Sequence, residues 1–323
     1  MKDQYNREIN YLRVSITDRC NLRCIYCMPE EGIKQILSHQ EILTYEEILR
    51  VINIAVTLGT SKVRITGGEP LVRKGVVGFI EKLAKIDGIN DIGITTNGVL
   101  LKSYAKDLFE AGLKRLNISL DSLDEKKFSM ITRFGHLKDV LEGIEKANEI
   151  GFTPIKINVV VMRGINDNEI EKFAQWSKEV PYQIRFIEFM PLGGLKLWSK
   201  ELFVSSDEIK SRIQTTVGNL ISVQVKKSGP AEYFMLQEAK GLLGFISPMT
   251  THMCARCNRL RLTADGKLRA CLFSDKEIDL KKHLRAASSD KEIRKILIKT
   301  IHSKPQAMSE YIKPLRPMST IGG

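Results

Sequence analysis

Over the first two thirds of the chain, short β-branched runs alternate with amphipathic stretches. Tyr11–Thr17, Lys62–Thr66, Asp91–Thr95, Arg115–Leu120, Lys156–Val161 and Gln183–Phe189 read as strands. Between them, Tyr45–Leu58, Val76–Ile86, Lys102–Ala111, Leu137–Ile150 and Asn168–Glu179 repeat apolar residues at the helical period. Thr44, ahead of Tyr45-Glu46-Glu47, marks a capped helix start. Strand and helix in repeated alternation predict a parallel sheet with right-handed crossovers. An open doubly wound sheet and an incomplete barrel satisfy this period equally.

The rhythm breaks after Met190, where Pro191-Leu192-Gly193-Gly194 reads as a loop. From Ser222 the pattern becomes short strands with tight turns: Ser222–Lys226, Tyr233–Gln237, Leu243–Ser247, Asn258–Thr263 and Lys267–Cys271. Ser288–Ile301 returns to the helical period, and a tail containing prolines follows. A boundary near residue 220 divides the chain into units 1–220 and 221–323.

Apolar residues make up 43% of the 323, enough for a full core. No apolar run is long enough to span a membrane, and Met1–Asn10 lacks a signal-peptide core. A cytoplasmic protein without a membrane partner is the expectation. Fifty Lys and Arg against 38 Asp and Glu leave a net charge of +12. This fits a solvated basic surface, or an anionic partner such as nucleic acid or a phosphorylated small molecule. No G-x-x-x-x-G-K-[ST] run exists, so any phosphate must be held by scattered Arg and Lys.

The six cysteines form two triplets: Cys20, Cys24 and Cys27, then Cys254, Cys257 and Cys271. In a reducing compartment such spacing points to metal or redox chemistry rather than disulfides. Each triplet is one ligand short of structural zinc or a fully ligated iron–sulfur cubane. A three-cysteine cluster leaves one iron open to a ligand that is not protein. At the front triplet no nearby His or Cys completes a zinc set, His39 twelve residues on reading as a surface residue, so zinc is the minority reading there; at the back triplet a zinc knuckle is the serious alternative, with His252 as a fourth ligand. Gly67-Gly68-Glu69-Pro70 follows the second strand, where paired glycines allow close backbone approach and Glu69 can receive an ammonium group. In the back segment, Asp265-Gly266 flanked by alternation signals a hairpin. A two-residue turn pairs Cys271 with Leu260, on the face away from Arg259 and Arg261; a bulge or a longer turn corrects this. Arg256, Arg259, Arg261, Lys267 and Arg269 crowd these cysteines and suit a polyanion.

Cys20-x-x-x-Cys24-x-x-Cys27, with Tyr26 before the third cysteine, resembles the signature of the radical S-adenosylmethionine enzymes, and Gly67–Pro70 resembles their second motif. The back segment from Met253 to Gly266, the stretches Lys62–Arg73, Val160–Asn166 and Phe186–Gly193, and the terminal Gly322-Gly323 are similar to one family among them. That family is molybdenum cofactor biosynthesis protein A, the GTP 3′,8-cyclases. Met253 and the Gly193–Lys200 stretch depart from its pattern.

The resemblance implies an incomplete (β/α)6 TIM-type barrel closed by a smaller C-terminal α+β domain that carries a second cluster. It implies two [4Fe-4S] clusters, on the front and back triplets, and S-adenosylmethionine framed by Tyr26, Gly68, Ser119 and Met190. GTP would be held by Arg13, Arg64, Thr95, Lys156, Arg185, Arg259, Leu260 and Arg261, with Arg13 and the Gly322-Gly323 tail assisting the chemistry. A radical formed at the front cluster would take the ribose C3′ hydrogen, and C3′ would then bond to guanine C8. The implied partners are a flavodoxin- or ferredoxin-like electron donor, cyclic pyranopterin monophosphate synthase as pathway successor, and a second copy in a homodimer, with no nucleic acid. The competing readings are a radical enzyme acting on RNA or a peptide, and a zinc-stapled nucleic-acid module.

Overall fold

A computed structural model describes the chain except residues 33–35, 193–196, 226–228, 252, 308–315 and 323. Its first two thirds run β1 (Tyr11–Ser15), α1 (Tyr45–Val56), β2 (Lys62–Thr66), α2 (Val76–Ala84), β3 (Asp91–Thr96), α3 (Leu101–Glu110), β4 (Arg115–Ser119), α4 (Glu125–Thr132), α5 (Leu137–Ile150), β5 (Ile155–Val161), α6 (Ile170–Glu179), β6 (Gln183–Glu188) and α7 (Ser206–Thr216). Thr44 caps α1 reciprocally: its hydroxyl accepts from Glu47 N at 3.1 Å, and the Glu47 carboxylate accepts from Thr44 N at 2.7 Å.

β1 to β6 pair in parallel, each beside the next in sequence. A doubly wound sheet reverses its strand order; this one does not, so its right-handed crossovers all lie on one side. The architecture is therefore an incomplete barrel, and its sheet is not closed. Leu12, Val14, Ile65, Ile94, Leu116, Ile118, Ile157, Ile184 and Phe186 are buried in one continuous core with the helices. Each fully buried side chain of this kind contributes about 1.5–3 kcal/mol.

The remainder adds β7 (Ile221–Val223), β8 (Glu232–Met235), β9 (Leu242–Ile246), β10 (Arg259–Leu262), β11 (Lys267–Arg269), β12 (Ile278–Asp279), α8 (Leu280–Arg285), α9 (Asp290–His302) and α10 (Met318–Ile321). β9 joins β6 in parallel and β10 joins β1 in parallel, so the C-terminal third extends both edges of the six-stranded sheet. Residue 220 falls between α7 and β7, inside one hydrogen-bonded sheet of twelve strands. Among the described residues, no helix is long and apolar enough to cross a membrane.

Four helices escaped the hydrophobic pattern: the short α8 and α10, and also α4 and α7. α4 buries Phe128, Ile131 and Thr132, and α7 buries Ser206, Ile209 and Ile213. Their apolar stripes are too thin for periodicity to register. α4 and α7 are each capped: Asp124 accepts from Lys127 N at 2.9 Å, and Ser205 from Glu208 N at 3.1 Å.

Candidate active site

All six cysteines line one cavity of about 670 Å³. Its wall takes residues from each of β1 to β6, from the 253–273 segment, and from Lys304, Met318 and Ser319. The cysteines are free thiols, each half-buried.

The front triplet lies in the loop leaving β1. Cys27 N and Met28 N both donate to Cys24 O, at 2.9 and 3.0 Å, which folds the loop back on itself. Arg23 N and Ile25 N bond Thr132 O and Ile131 O, fastening the loop to the end of α4. Gly67 and Gly68 meet the same loop from β2. A Cβ on Gly68 would stand 2.3 Å from Arg19 O, and one on Gly67 2.6 Å from Thr17 O. These glycines thus admit the backbone of the cysteine loop as well as lining the cavity. Glu69 corrects an expectation. It is 1% exposed and does not line the cavity; its carboxylate accepts from Leu71 N, Thr96 Oγ1 and Asn97 N at 2.7–3.0 Å. It is a buried bracket rather than an ammonium receptor. Asn97, which it holds, donates to Asn21 Oδ1 at 2.8 Å beside Cys20.

Tyr26 lines the cavity and donates to Asp121 Oδ2 at 2.6 Å. Ser119 and Met190 line it too. Burial raises the front thiols, Cys20 to about 11 and Cys27 to about 12, and holds Asp121 up at about 6.

The basic residues come from strand register. Arg261 of β10 pairs with Arg13 of β1, and Arg13 with Arg64 of β2. One step down, Arg259 pairs with Tyr11, and Tyr11 with Lys62. Across the barrel, Asn158 pairs with Arg185, and its amide oxygen accepts from Arg185 Nε at 2.8 Å. Arg13, Arg64, Thr95, Lys156, Arg185, Arg259 and Arg261 all line the cavity, and the Thr95 hydroxyl is buried without a partner. Leu260 does not line it; its side chain is core, so it can meet a ligand only through its backbone.

So many cations in one place displace ordinary ionisation. Burial, reinforced by Arg185, Arg115 and Arg64, lowers Lys156 to about 6. Burial opposes ionisation of Tyr11, but Arg64, Arg13 and Arg259 outweigh it and bring the phenol to about 7. Such a site favours a polyanion.

The back triplet sits on the β10–β11 hairpin and the turn before it. The two-residue turn is not what forms. Thr263 N donates to Lys267 O and Gly266 N to Thr263 O, both at 2.9 Å, and Gly266 adopts φ +79. This is a three-residue loop with glycine in the left-handed position. It shifts the register by one, pairing Arg261 with Arg269. Continued, that register sets Cys271 opposite Arg259, on the arginine side. Of the five basic residues expected here, Arg256, Arg259 and Arg261 face the cavity. Lys267 instead pairs with Asp279 at 2.6 Å and Arg269 with Glu277 at 2.5 Å, outside it. Burial works against ionisation of Cys257, but Lys304 and Arg259 outweigh it and hold that thiol below its ordinary value.

The tail reaches the same place. Arg261 Nη1 donates to Gly322 O at 2.5 Å, in a buried contact. Gly323, His252 and Gly193 lie outside the described residues.

Sequence reasoning missed Tyr11, Lys62, Asp91, Arg115 and Lys304, all of which line the cavity. Asp91 pairs with Arg115 at 2.5 Å and Lys62 at 3.7 Å. Lys62, Asp91 and Arg115 open their strands, and such polar starts resemble ordinary strand ends. Lys304 follows a helix in a tail with no local signal.

The donor set at each triplet fits an iron–sulfur cubane: three thiols face a shared cavity and leave one position open. Among the described residues, no three His, Cys, Asp or Glu side chains close on one point as ligands of a single metal ion do.

Residues 14–177 match the model of the radical SAM superfamily, and residues 182–310 that of molybdenum cofactor synthesis C. The GTP 3′,8-cyclase of Thermodesulfovibrio yellowstonii is 71% identical over 323 residues, covering all of both chains. That of Desulforamulus reducens is 51% identical over 326 aligned residues, again covering all of both. Among solved structures, Streptococcus suis SuiB bound to S-adenosylmethionine aligns with TM-score 0.65 at 15% identity, over 92% of this chain and 68% of that one; this likeness concerns the fold alone. On this sequence evidence the chain belongs to the GTP 3′,8-cyclase family of radical SAM enzymes.

Proposed function

We propose that this chain converts GTP into (8S)-3′,8-cyclo-7,8-dihydroguanosine 5′-triphosphate, the cyclisation that begins molybdenum cofactor synthesis. The observation that carries this reading is the single cavity of about 670 Å³, which holds both cysteine triplets and a basic wall. A radical formed at one end can reach a nucleotide only if both share a chamber.

Cys20, Cys24 and Cys27 would hold one [4Fe-4S] cluster, and Cys254, Cys257 and Cys271 the other. With S-adenosylmethionine bound, the front cluster would supply radical chemistry able to take an unactivated hydrogen. Gly68, Tyr26, Ser119 and Met190 would frame that cofactor, with Tyr26 fixed by Asp121. Arg13, Arg64, Lys156, Arg185, Arg259 and Arg261, with Thr95 and the Leu260 backbone, would hold GTP. In the net reaction the ribose gives up its C3′ hydrogen and C3′ bonds to C8; one electron and one proton then complete the dihydro base. The residues contribute by fixing triphosphate and base so that C3′ and C8 meet in near-attack geometry. Arg261 would also hold the Gly322-Gly323 tail beside Arg13.

In this role the chain acts in the cytoplasm as a homodimer. It takes electrons from a flavodoxin- or ferredoxin-like donor and passes its product to cyclic pyranopterin monophosphate synthase. The division of labour sets residues 1–220 as the radical-forming unit and 221–323 as the second-cluster and substrate unit. The test is anaerobic incubation with dithionite, S-adenosylmethionine and GTP, followed by mass spectrometry. Formation of 5′-deoxyadenosine together with the cyclised nucleotide is expected. Formation of 5′-deoxyadenosine while GTP stays intact would refute the substrate assignment.

A further inference from the structure

Lys304 is 2% exposed and lies just past α9. Its ammonium donates to Arg259 O at 2.8 Å and Ala270 O at 2.6 Å. These carbonyls belong to the two limbs of the hairpin: Arg259 follows Cys257 by two residues, and Ala270 directly precedes Cys271. Lys304 therefore clamps both limbs from below while lining the cavity with the cysteines.

Arg7 holds the third member of the triplet, donating to Cys254 O at 2.8 Å. Its charge is balanced, because Asp3 Oδ2 lies 2.7 Å from Arg7 Nε and both residues are buried. Lys304 has no counterpart to Asp3: among the described residues no carboxylate pairs with it. Besides these carbonyls the ammonium meets the Cys257 sulfur, and a buried ammonium costs several kcal/mol unless an anion stands nearby. The missing anion is the chemistry expected of this triplet. A cubane held by three thiolates is anionic, and it gains a further negative charge on reduction.

The front triplet has the opposite surroundings. Two buried carboxylates stand beside it: Asp121 accepts from Tyr26, the residue before Cys27, at 2.6 Å, and Glu69 accepts at 2.7 Å from the backbone of Asn97, whose amide donates to Cys20 Sγ at 3.8 Å. Cluster potentials follow local charge, hydrogen bonding and exposure.

We propose that Lys304 is a positioning residue of the back cluster, whose fixed charge raises that cluster's reduction potential above the front cluster's. The proposal rests on the two-cluster reading. It predicts that the back cluster fills first when the protein is reduced, leaving the front cluster as the stronger reductant. That order suits a front site that must cleave a sulfonium and a back site that need only hold substrate.

The test uses full-length protein with Cys20, Cys24 and Cys27 replaced by alanine, so that only the back cluster is retained. Redox titration followed by electron paramagnetic resonance gives its midpoint. Lys304→Gln keeps hydrogen-bond donors but removes the charge; its midpoint should fall while iron and sulfide content stay at the parent's level. Lys304→Arg should restore the parent midpoint. If Lys304→Gln does not fold, Lys304→Met is read the same way. An unchanged midpoint in any charge-free variant that retains its cluster overturns the proposal. A parent protein without iron or sulfide would overturn the two-cluster reading itself, and the role of Lys304 with it.

Discussion

Gly93 of β3 pairs in register with Arg64 of β2, and a Cβ at Gly93 would stand 2.1 Å from Arg64 Nη1. The guanidinium lies across the strand where a side chain would otherwise be, with Nε donating to Tyr11 Oη at 3.1 Å. Gly93 is thus the seat of a cavity-facing arginine. Gly93→Ala should displace Arg64 and weaken GTP binding roughly 10-fold or more, the loss of a charge-assisted hydrogen bond. Calorimetry on the anaerobic protein reads this directly. Affinity for S-adenosylmethionine should not change, since Arg64 belongs to the basic wall.

The two triplets should be separable by single substitutions. Cys271→Ser should cost about half the irons that the two-cluster reading assigns, while S-adenosylmethionine binding survives. Cys27→Ser should do the reverse, abolishing S-adenosylmethionine binding and leaving the GTP site filled. Iron analysis with equilibrium binding of each ligand checks both. Loss of both ligands in either folded variant would contradict separate roles.

With Lys156 in the proposed GTP site, binding should depend on pH. In the free protein Lys156 is lowered to about 6, chiefly by burial and then by Arg185, Arg115 and Arg64. Above that value the free site carries a neutral amine. A bound triphosphate favours the ammonium, so binding takes up a proton. Affinity should therefore fall as pH rises from about 6.5 to about 8.5, by up to tenfold per unit. Lys156→Met should bind more weakly at pH 6.5 and show a flatter profile. A profile of equal slope in that variant would assign the proton elsewhere.

Removing Gly322 and Gly323 takes away the carbonyl that Arg261 holds at 2.5 Å. The truncated protein should keep its irons and its affinity for S-adenosylmethionine, because the lost hydrogen bond is to Arg261, which is not among the residues proposed to frame that cofactor. Turnover of GTP should drop by orders of magnitude. Normal turnover would make the contact a packing detail.

Much of this was legible before any coordinates. The six β/α units follow from strict alternation, because a parallel strand buried on its helix face must be β-branched and apolar. The same strands carry Arg13, Arg64, Lys156 and Arg185 on the opposite face, and a charge in a buried strand is conspicuous. What periodicity left open, barrel or doubly wound sheet, depends on strand order, which no local signal carries. The hairpin register also escaped. Asp265-Gly266 announces a turn, but whether two or three residues form it depends on Thr263 closing against Lys267. Lys304 and Arg7 were invisible because their partners are backbone carbonyls far away in sequence. The role expected of Glu69 failed because the residues that occupy its carboxylate, Thr96 and Asn97, come from the next strand and the loop beyond it.

The central claim is that both cysteine triplets serve one chamber, in which the ribose of GTP meets the front site. The most direct measurement uses GTP carrying deuterium at C3′, incubated anaerobically with S-adenosylmethionine and dithionite. Mass spectrometry of the 5′-deoxyadenosine should find one deuterium per molecule, matched by an equal amount of cyclised nucleotide. Unlabelled 5′-deoxyadenosine formed alongside intact GTP would mean that the hydrogen comes from elsewhere, and the shared-chamber account would be wrong.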